Sequence, residues 1–169
     1  MSIFINEIIP KQTLLVLDGP VNKRLRKVIN FFVQNYNLEI LELKNNKGLG
    51  MALAEGLKKC KFNYVARFDT DDINMPNRLE IQFKFLKNNP DISVVGSNVI
   101  EFRKKGKSYE NRSKRVPISP KKIKLSFFYR NCINHPSVFF KRSDILQIGN
   151  YKSRIFFEDY DLWLRLLDK

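Results

Sequence analysis

The sequence predicts an α/β fold in which a mostly parallel sheet is flanked by helices. Short apolar runs alternate with stretches of helical periodicity, and the links between them are short. One of these runs, Tyr64 to Phe68, ends in the acids Asp69, Asp71 and Asp72, as buried strands do where an open sheet presents its ligands. With 169 residues the chain is long enough for one domain with a sizeable core, so a single domain over 1–169 is expected.

Composition narrows the class. Hydrophobic residues make up 43% and aromatic ones 12%, which suits a globular chain rather than a disordered one. The 14 phenylalanines point to a bulky core or an exposed apolar face. No apolar run is long enough to span a bilayer, and the N-terminus has no signal-peptide pattern. Cys60 and Cys132 lack metal or redox spacing, which fits a reducing compartment, so a cytoplasmic location is expected. The formal net charge of +14 favours polyanionic partners: nucleic acid, an anionic membrane face or phosphorylated substrates. Its densest region runs from Arg103 through Lys107 and Arg115 to Lys124 and reads first as a solubilising loop.

The elements follow in order. Met1 to Ile9 looks like the tail of a helix. Thr13 to Leu17 is a buried strand broken by Asp18-Gly19-Pro20. Lys23 to Gln34 sets Leu25, Val28, Ile29 and Phe32 on one helical face. A strand over Leu38–Leu43 and a loop at Asn45–Gly48 lead into a helix over Leu49–Lys59. After the acidic strand, Pro76 suits the first turn of a helix carrying Leu79, Phe83 and Leu86. Ile92 to Phe102 reads as a strand bent at Gly96. Ser119-Pro120 opens a helix with Ile123, Phe127 and Phe128. Pro136 to Phe140 is a strand, and Ser143 caps a brief helix stopped by Gly149. The last helix follows Phe156-Phe157-Glu158-Asp159 and bears Leu162, Trp163 and Leu166.

In an extended chain, residues two apart point to the same side, so Asp69 and Asp71 can aim at one point. Two carboxylates there suit a hard cation that also holds substrate phosphates. A solvated acidic turn, with Asp72 or Asn74 capping the next helix, accounts for the same residues.

A series of motifs carries a family resemblance. Leu17-Asp18-Gly19-Pro20 is followed by Asn46-Lys47-Gly48-Leu49-Gly50, then by Ala66-Arg67-Phe68-Asp69-Thr70-Asp71-Asp72 with Pro76-Asn77-Arg78. Asn134-His135-Pro136-Ser137-Val138 and Phe157-Glu158-Asp159-Tyr160-Asp161-Leu162-Trp163 complete it. In this order the chain resembles the inverting family 2 glycosyltransferases with the Rossmann-like GT-A fold, especially bacterial enzymes of capsule, exopolysaccharide and O-antigen synthesis. The resemblance implies a nucleotide-diphospho-sugar donor, a glycan or lipid-linked acceptor, and a divalent metal, Mn2+ or Mg2+. It gives Asp18 the nucleotide base, Asp69 the ribose and metal–diphosphate, Asp71 the metal, and Arg67 a phosphate or a nearby acid. Asp159 would be the general base, with Glu158 in reserve. His135 and Trp163 would lie on the acceptor side; a core or turn histidine and a tryptophan buried on an apolar helix face are the alternatives. Peripheral association with the inner membrane face would suit a lipid-linked acceptor.

The chain also departs from that pattern. Leu53 stands where many relatives carry arginine. The family's opening strand is absent and the chain stops soon after the Glu158-Asp159 helix, so a partial domain with a central unpaired edge and weak or no turnover is expected. Two other classes compete. Aspartyl-phosphate phosphatases expect Thr or Val where Ile73 stands. A basic nucleic-acid-binding module would use the Lys/Arg stretch with Tyr and Phe, but no recognised binding motif supports it, and no specific nucleic acid is expected. A degenerate, non-catalytic transferase fold is the remaining alternative.

Overall fold

A computed structural model describes residues 2–5, 7–105 and 108–168. Ser2–Ile5 form a 3-10 turn where the tail of a helix was expected, and Lys107 of the basic stretch lies outside the described residues. β1 (Leu14–Leu17) pairs in parallel with β2 (Glu39–Glu42), with Leu14 opposite Glu39. Parallel pairing needs a crossover, and α1 (Lys23–Asn35) supplies it. Asn22 caps α1 by accepting the Leu25 amide at 2.8 Å. Its expected apolar face is only partly covered: Ile29 is buried, whereas Leu25 and Val28 are exposed.

α2 (Leu49–Lys59) begins and ends where the periodicity placed it. It packs on β1 through Gly56, where an added Cβ would stand 2.8 Å from Val16 Cγ2. Beyond α2 the sheet departs from the parallel expectation. β3 (Tyr64–Ala66), α3 (Arg78–Asn88) and β4 (Val94–Val95) form a strand–helix–strand unit. Pro76 lies two residues ahead of α3, and neither Asp72 nor Asn74 caps it.

The basic stretch is a hairpin, not a loop: β5 (Val99–Lys105) pairs antiparallel with β6 (Ser108–Lys114). The strand is interrupted between β4 and β5, beside Gly96, where one bent strand was expected. Lys105 pairs with Glu110 and Lys114 with Glu101, so part of the positive charge is balanced locally. α4 (Pro120–Ser126) follows, capped by the Ser119 side chain. Phe127 is buried behind it, but Phe128 points to solvent, because adjacent residues at a helix end face about 100° apart.

Pro136 sits in a 3-10 turn (His135–Ser137), so the strand starts later than expected, as β7 (Phe139–Lys141). β7 lies between β3 and β4 and runs antiparallel to both. Strand–helix alternation could not show that a hairpin and a short helix return the chain into the middle of that unit. α5 (Arg142–Gln147) contains Ser143 within its first turn, so Ser143 is not its cap. The Ser143 amide instead donates to Asn63 Oδ1 at 2.8 Å. Gly149, at φ +90°, ends the segment in the left-handed region. α6 (Glu158–Leu167) is the last helix.

The main core joins α2, β7, α5 and α6 around Val138, Phe140, Ile145, Leu162 and Trp163. A second cluster, Leu79, Leu86 and Phe139, lies under α3. Among the described residues, none from β1 or β2 belongs to either cluster. The β1–β2 sheet and the β3–β7–β4 sheet do not join. Between them lies a cavity of about 890 Å³, lined by Leu14, Leu15 and Val16 on one side and Tyr64, Val65 and Ala66 on the other. Among the described residues, the unpaired central edge expected from the sequence is therefore present on both strands. No helix among the described residues is long and apolar enough to cross a membrane.

Candidate active site

Gln12 sets the starts of β1 and β3 side by side. Its Oε1 accepts the Lys61 amide at 2.8 Å, and its Nε2 donates to Glu39 Oε2 at 3.0 Å. From there both strands run toward acids, Asp18 after β1 and Asp69 after β3, and both acids line the cavity. Asp18 uses both oxygens on the backbone ahead of α2: Oδ1 accepts the Lys47 amide at 2.7 Å and Oδ2 the Gly48 amide at 2.9 Å. Gly19, at φ +102°, makes that approach possible, because a Cβ there would meet Asn46 N at 2.9 Å.

Asp69 is held by Arg67 through two parallel bonds, Nη1 to Oδ2 at 2.8 Å and Nη2 to Oδ1 at 2.6 Å. The arginine side chain is 9% exposed and the aspartate 37%, so a buried cation presents a half-open anion to the cavity. Arg67 Nε has no hydrogen-bond partner among the described residues. Asp71 is exposed and does not line the cavity, whereas Asp72 does. Burial raises the Asp72 carboxyl above its ordinary value, and the charges of Asp69 and Asp71 raise it further. Among the described residues no three His, Cys, Asp or Glu side chains are grouped to hold a metal ion. The donor set still fits a hard cation of the Mg2+ or Mn2+ kind. It is all oxygen, its charges repel one another, and such ions take one or two carboxylates and complete their shell with water and phosphate.

Arg78 was quoted in the motif series but given no role, and it holds this corner together. Its Nη2 donates to the Arg67 carbonyl at 2.9 Å and the Val138 carbonyl at 3.2 Å, and its Nε donates to Gln82 Oε1 at 3.1 Å. Nη1 donates to Asn74 Oδ1, and the guanidinium lies 4.7 Å from the Phe68 ring centre. Burial first, and Arg67 second, lower its pKa to about 10, so it keeps its charge at neutral pH. The sequence signal available was the Arg78–Gln82 pair, four apart on one helix face.

Asp159 opens α6 and is half-buried, accepting Asn131 Nδ2 at 2.7 Å and the Tyr160 amide at 2.8 Å. Tyr160 donates its hydroxyl to the Phe127 carbonyl and stacks on the Phe127 ring with centroids 5.6 Å apart, which docks α6 against the end of α4. Glu158 is buried against Gly50, where an added Cβ would meet Glu158 Cβ at 3.1 Å and overlap the Lys152 carbonyl oxygen. The N-terminus of α2 therefore touches both acidic groups: Asp18 binds Gly48, and two residues on Gly50 abuts Glu158.

His135 and Trp163, read either as acceptor-side residues or as packed core residues, are both buried. His135 is 8% and Trp163 1% exposed, with their rings 6.1 Å apart and edge-to-face. His135 Nε2 lies 3.1 Å from the Tyr151 hydroxyl. The physical reason is the apolar face of α6, which carries Leu162 and Trp163 into the main cluster. Leu53 likewise packs against that cluster rather than presenting a polar group.

A family model described as glycosyl transferase family 2 matches residues 6–148. The amylovoran biosynthesis glycosyltransferase AmsE of Erwinia amylovora is 39% identical over 92% of this chain and 58% of its own length. The UDP-Gal:alpha-D-GlcNAc-diphosphoundecaprenol beta-1,3-galactosyltransferase of Escherichia coli is 36% identical over 98% of this chain and 60% of its own. The chain thus spans somewhat over half the length of these relatives. Among solved structures, the mannosyltransferase PcManGT of Pyrobaculum calidifontis, in complex with GDP-Man and Mn2+, superposes with a TM-score of 0.69 at 13% identity. It covers 98% of this chain and 46% of that one. S. aureus TarS 1-349 with UDP superposes at 0.62 and 15% identity, over 98% of this chain and 48% of that one. Likeness at such identity establishes a shared fold.

Proposed function

The chain belongs to glycosyl transferase family 2, and on that premise we propose that it carries the donor half of a sugar-transfer site. The whole protein would move a sugar from a nucleotide diphosphate to a glycan or lipid-linked acceptor, with inversion, in bacterial surface polysaccharide synthesis. One observation carries the reading: Asp18, just after β1, and Asp69, just after β3, line one cavity. Asp18 faces the nucleotide base and Asp69 the ribose and diphosphate, with Arg67 fixing the Asp69 carboxylate. Asp71, with Asp69, holds a divalent cation, which supplies charge neutralisation for the leaving diphosphate. Asp159 takes the proton from the acceptor hydroxyl as that oxygen attacks the anomeric carbon from the face opposite the leaving group. Asn131 orients the Asp159 carboxylate for that transfer. Glu158, buried against Gly50, is the reserve and supports the helix start.

The lipid-linked acceptor is supported by the name of the Escherichia coli relative. It is also supported by exposed aromatic residues after α4 (Phe128, Tyr129) and ahead of α6 (Phe156, Phe157), together with the exposed Lys121, Lys122 and Lys124 of α4. Aromatic and basic residues together suit the interface of an anionic membrane, and on this reading the protein works at the cytoplasmic face. Binding to anionic vesicles at low salt, lost at high salt, is expected; no vesicle binding at low salt counts against it.

The roles separate by substitution in the full-length protein. Asp71→Asn removes metal-dependent donor binding in calorimetry, whereas Asp159→Asn leaves donor binding intact and lowers transfer by about 100-fold or more. Unchanged metal-dependent binding in the first variant, or retained transfer in the second, refutes the corresponding role.

A further inference from the structure

The β5–β6 hairpin has no part in the proposed donor site, and the fold leaves it unsupported. Among the described residues, none of β5 or β6 belongs to either core cluster, and the two strands pair only with each other. A two-stranded hairpin that packs on nothing is marginal in water, so its free faces want a partner. Register sorts those faces, because directly opposed residues share one and successive pairs alternate. One face sets Glu101 opposite Arg112 and Arg103 opposite Glu110, with Lys105 and Lys114 on the same side. Both acids of the hairpin lie there, each paired to a lysine. The other face carries Ile100, Phe102 and Tyr109, all exposed, with Lys104 opposite Tyr109 and no acid. Pairing thus turns a stretch that reads in sequence as a solvated loop into an amphipathic ribbon.

We propose that the Ile100–Phe102–Tyr109 face lies on the anionic surface of a lipid bilayer. The inference rests on the reading of a lipid-linked acceptor and names the element that meets the lipid. β5 and β6 carry five cations against two acids, so a negative surface attracts the hairpin. The aromatic and aliphatic side chains then enter the headgroup layer, while Lys104 reaches back along its stem to a lipid phosphate. The hairpin lies flat instead of crossing, because its outer edges hold unpaired backbone groups that need water. Nucleic acid fits the charge but not the rings. Phe102 and Tyr109 meet edge to face, with 69° between planes at 6.2 Å, so they form no shared platform for stacked bases. A second copy of this chain brings the same excess of cations, and like charges oppose that contact. The foot of the hairpin is tied to the site. The Ser97 amide donates to Ser137 Oγ at 3.0 Å, and Asn134 Nδ2 to the Ser97 carbonyl at 2.9 Å. Next along, the Val138 carbonyl accepts the Arg67 amide at 3.0 Å. Lipid under the hairpin therefore sets how the Arg67–Asp69 corner is turned toward the bilayer.

The test uses the full-length protein carrying Phe102→Trp, with the parent protein as the blank. The vesicles are phosphatidylglycerol and phosphatidylcholine in equal parts, at low salt. On them the added emission shifts to the blue and is quenched when the acyl chains are brominated, whereas Trp163, buried in the core, shows neither change. Phe102→Ser combined with Tyr109→Ser lowers partition onto these vesicles by about tenfold or more. Blue emission before any vesicle is added overturns the proposal, since another part of the protein then covers the face. An equal shift on single-stranded RNA overturns it in favour of nucleic acid. Undiminished partition of the double variant overturns it too, and leaves membrane contact to the aromatic residues around α4 and α6. Absence of all vesicle binding removes the hairpin and that contact together. None of these readouts involves a sugar nucleotide, so the transferase reading stands or falls separately.

Discussion

Arg78 shows how one side chain can set a site it never touches. Four acceptors around it, two of them the Arg67 and Val138 carbonyls, converge on one buried guanidinium. A lysine keeps the charge but not the planar fork, and takes the guanidinium donor from the Arg67 carbonyl, Asn74 and Gln82, whereas the Val138 carbonyl keeps the Arg67 amide at 3.0 Å. Arg78→Lys is therefore expected to cost about 2–4 kcal/mol in urea unfolding. A cost below about 0.5 kcal/mol would mean that water replaces the fork. His135 makes a second residue-scale case. Burial, with Arg67 adding to it, lowers its pKa from 6.5 to about 3 in the folded chain. Below 6.5 the unfolded chain binds a proton that the folded chain refuses. Stability is therefore complete above that value and falls with decreasing pH, by at most about 1.4 kcal/mol per pH unit, until the folded histidine itself titrates. His135→Gln is expected to flatten this limb between about pH 6 and 4 without a change at pH 8. An unchanged slope would assign the acid limb to carboxylates.

At the scale of elements, α2 shows what the sequence could and could not reveal. Its bounds were legible because Leu53 and Leu57 keep helical register between a glycine loop and two lysines. Its role as the joint between Asp18 and Glu158 was not, because Gly50 signals close approach only once the other surface is known. A Cβ at Gly50 would overlap the Lys152 carbonyl. Gly50→Ala is thus expected to destabilise the fold by about 1–3 kcal/mol despite its better helix propensity, and to shift the loop before Asp159. A stabilised variant would mean that loop yields freely. The acidic run after β3 was legible for a similar reason, as an apolar strand ending in carboxylates. The different surroundings of Asp69, held by Arg67, of Asp71, exposed, and of Asp72, on the cavity wall, are not encoded by spacing. The antiparallel insertion of β7 escaped as well, since Phe139 and Phe140 are apolar in either strand direction. His135 and Trp163 follow the same logic: the motifs left acceptor-side and core readings open, and only packing shows both side chains buried.

The molecule as a whole is built from unequal parts. Both hydrophobic clusters lie in the portion formed by α2 to α6 and the β3–β7–β4 sheet. The β1–α1–β2 portion is fastened to it through Gly56 against Val16, through Gln12, through the Lys61–Glu39 ion pair and through Asp18 on the Lys47 and Gly48 amides, with an open cavity beside β1. Free energy of opening follows buried apolar contact, so these two portions should not unfold together. In native-state hydrogen exchange, amides of Leu14–Leu17 and Glu39–Glu42 are expected to open with a free energy lower by about 2 kcal/mol than those of Phe139–Lys141. Donor with Mn2+ should narrow that difference, because Asp18 and Asp69 belong to different portions and a ligand held by both stabilises their docking. Asp18→Asn is expected to weaken this ligand effect while leaving Phe139–Lys141 protection unchanged. Equal protection of both portions without ligand would instead make the chain one cooperative unit, with the cavity a rigid feature of it.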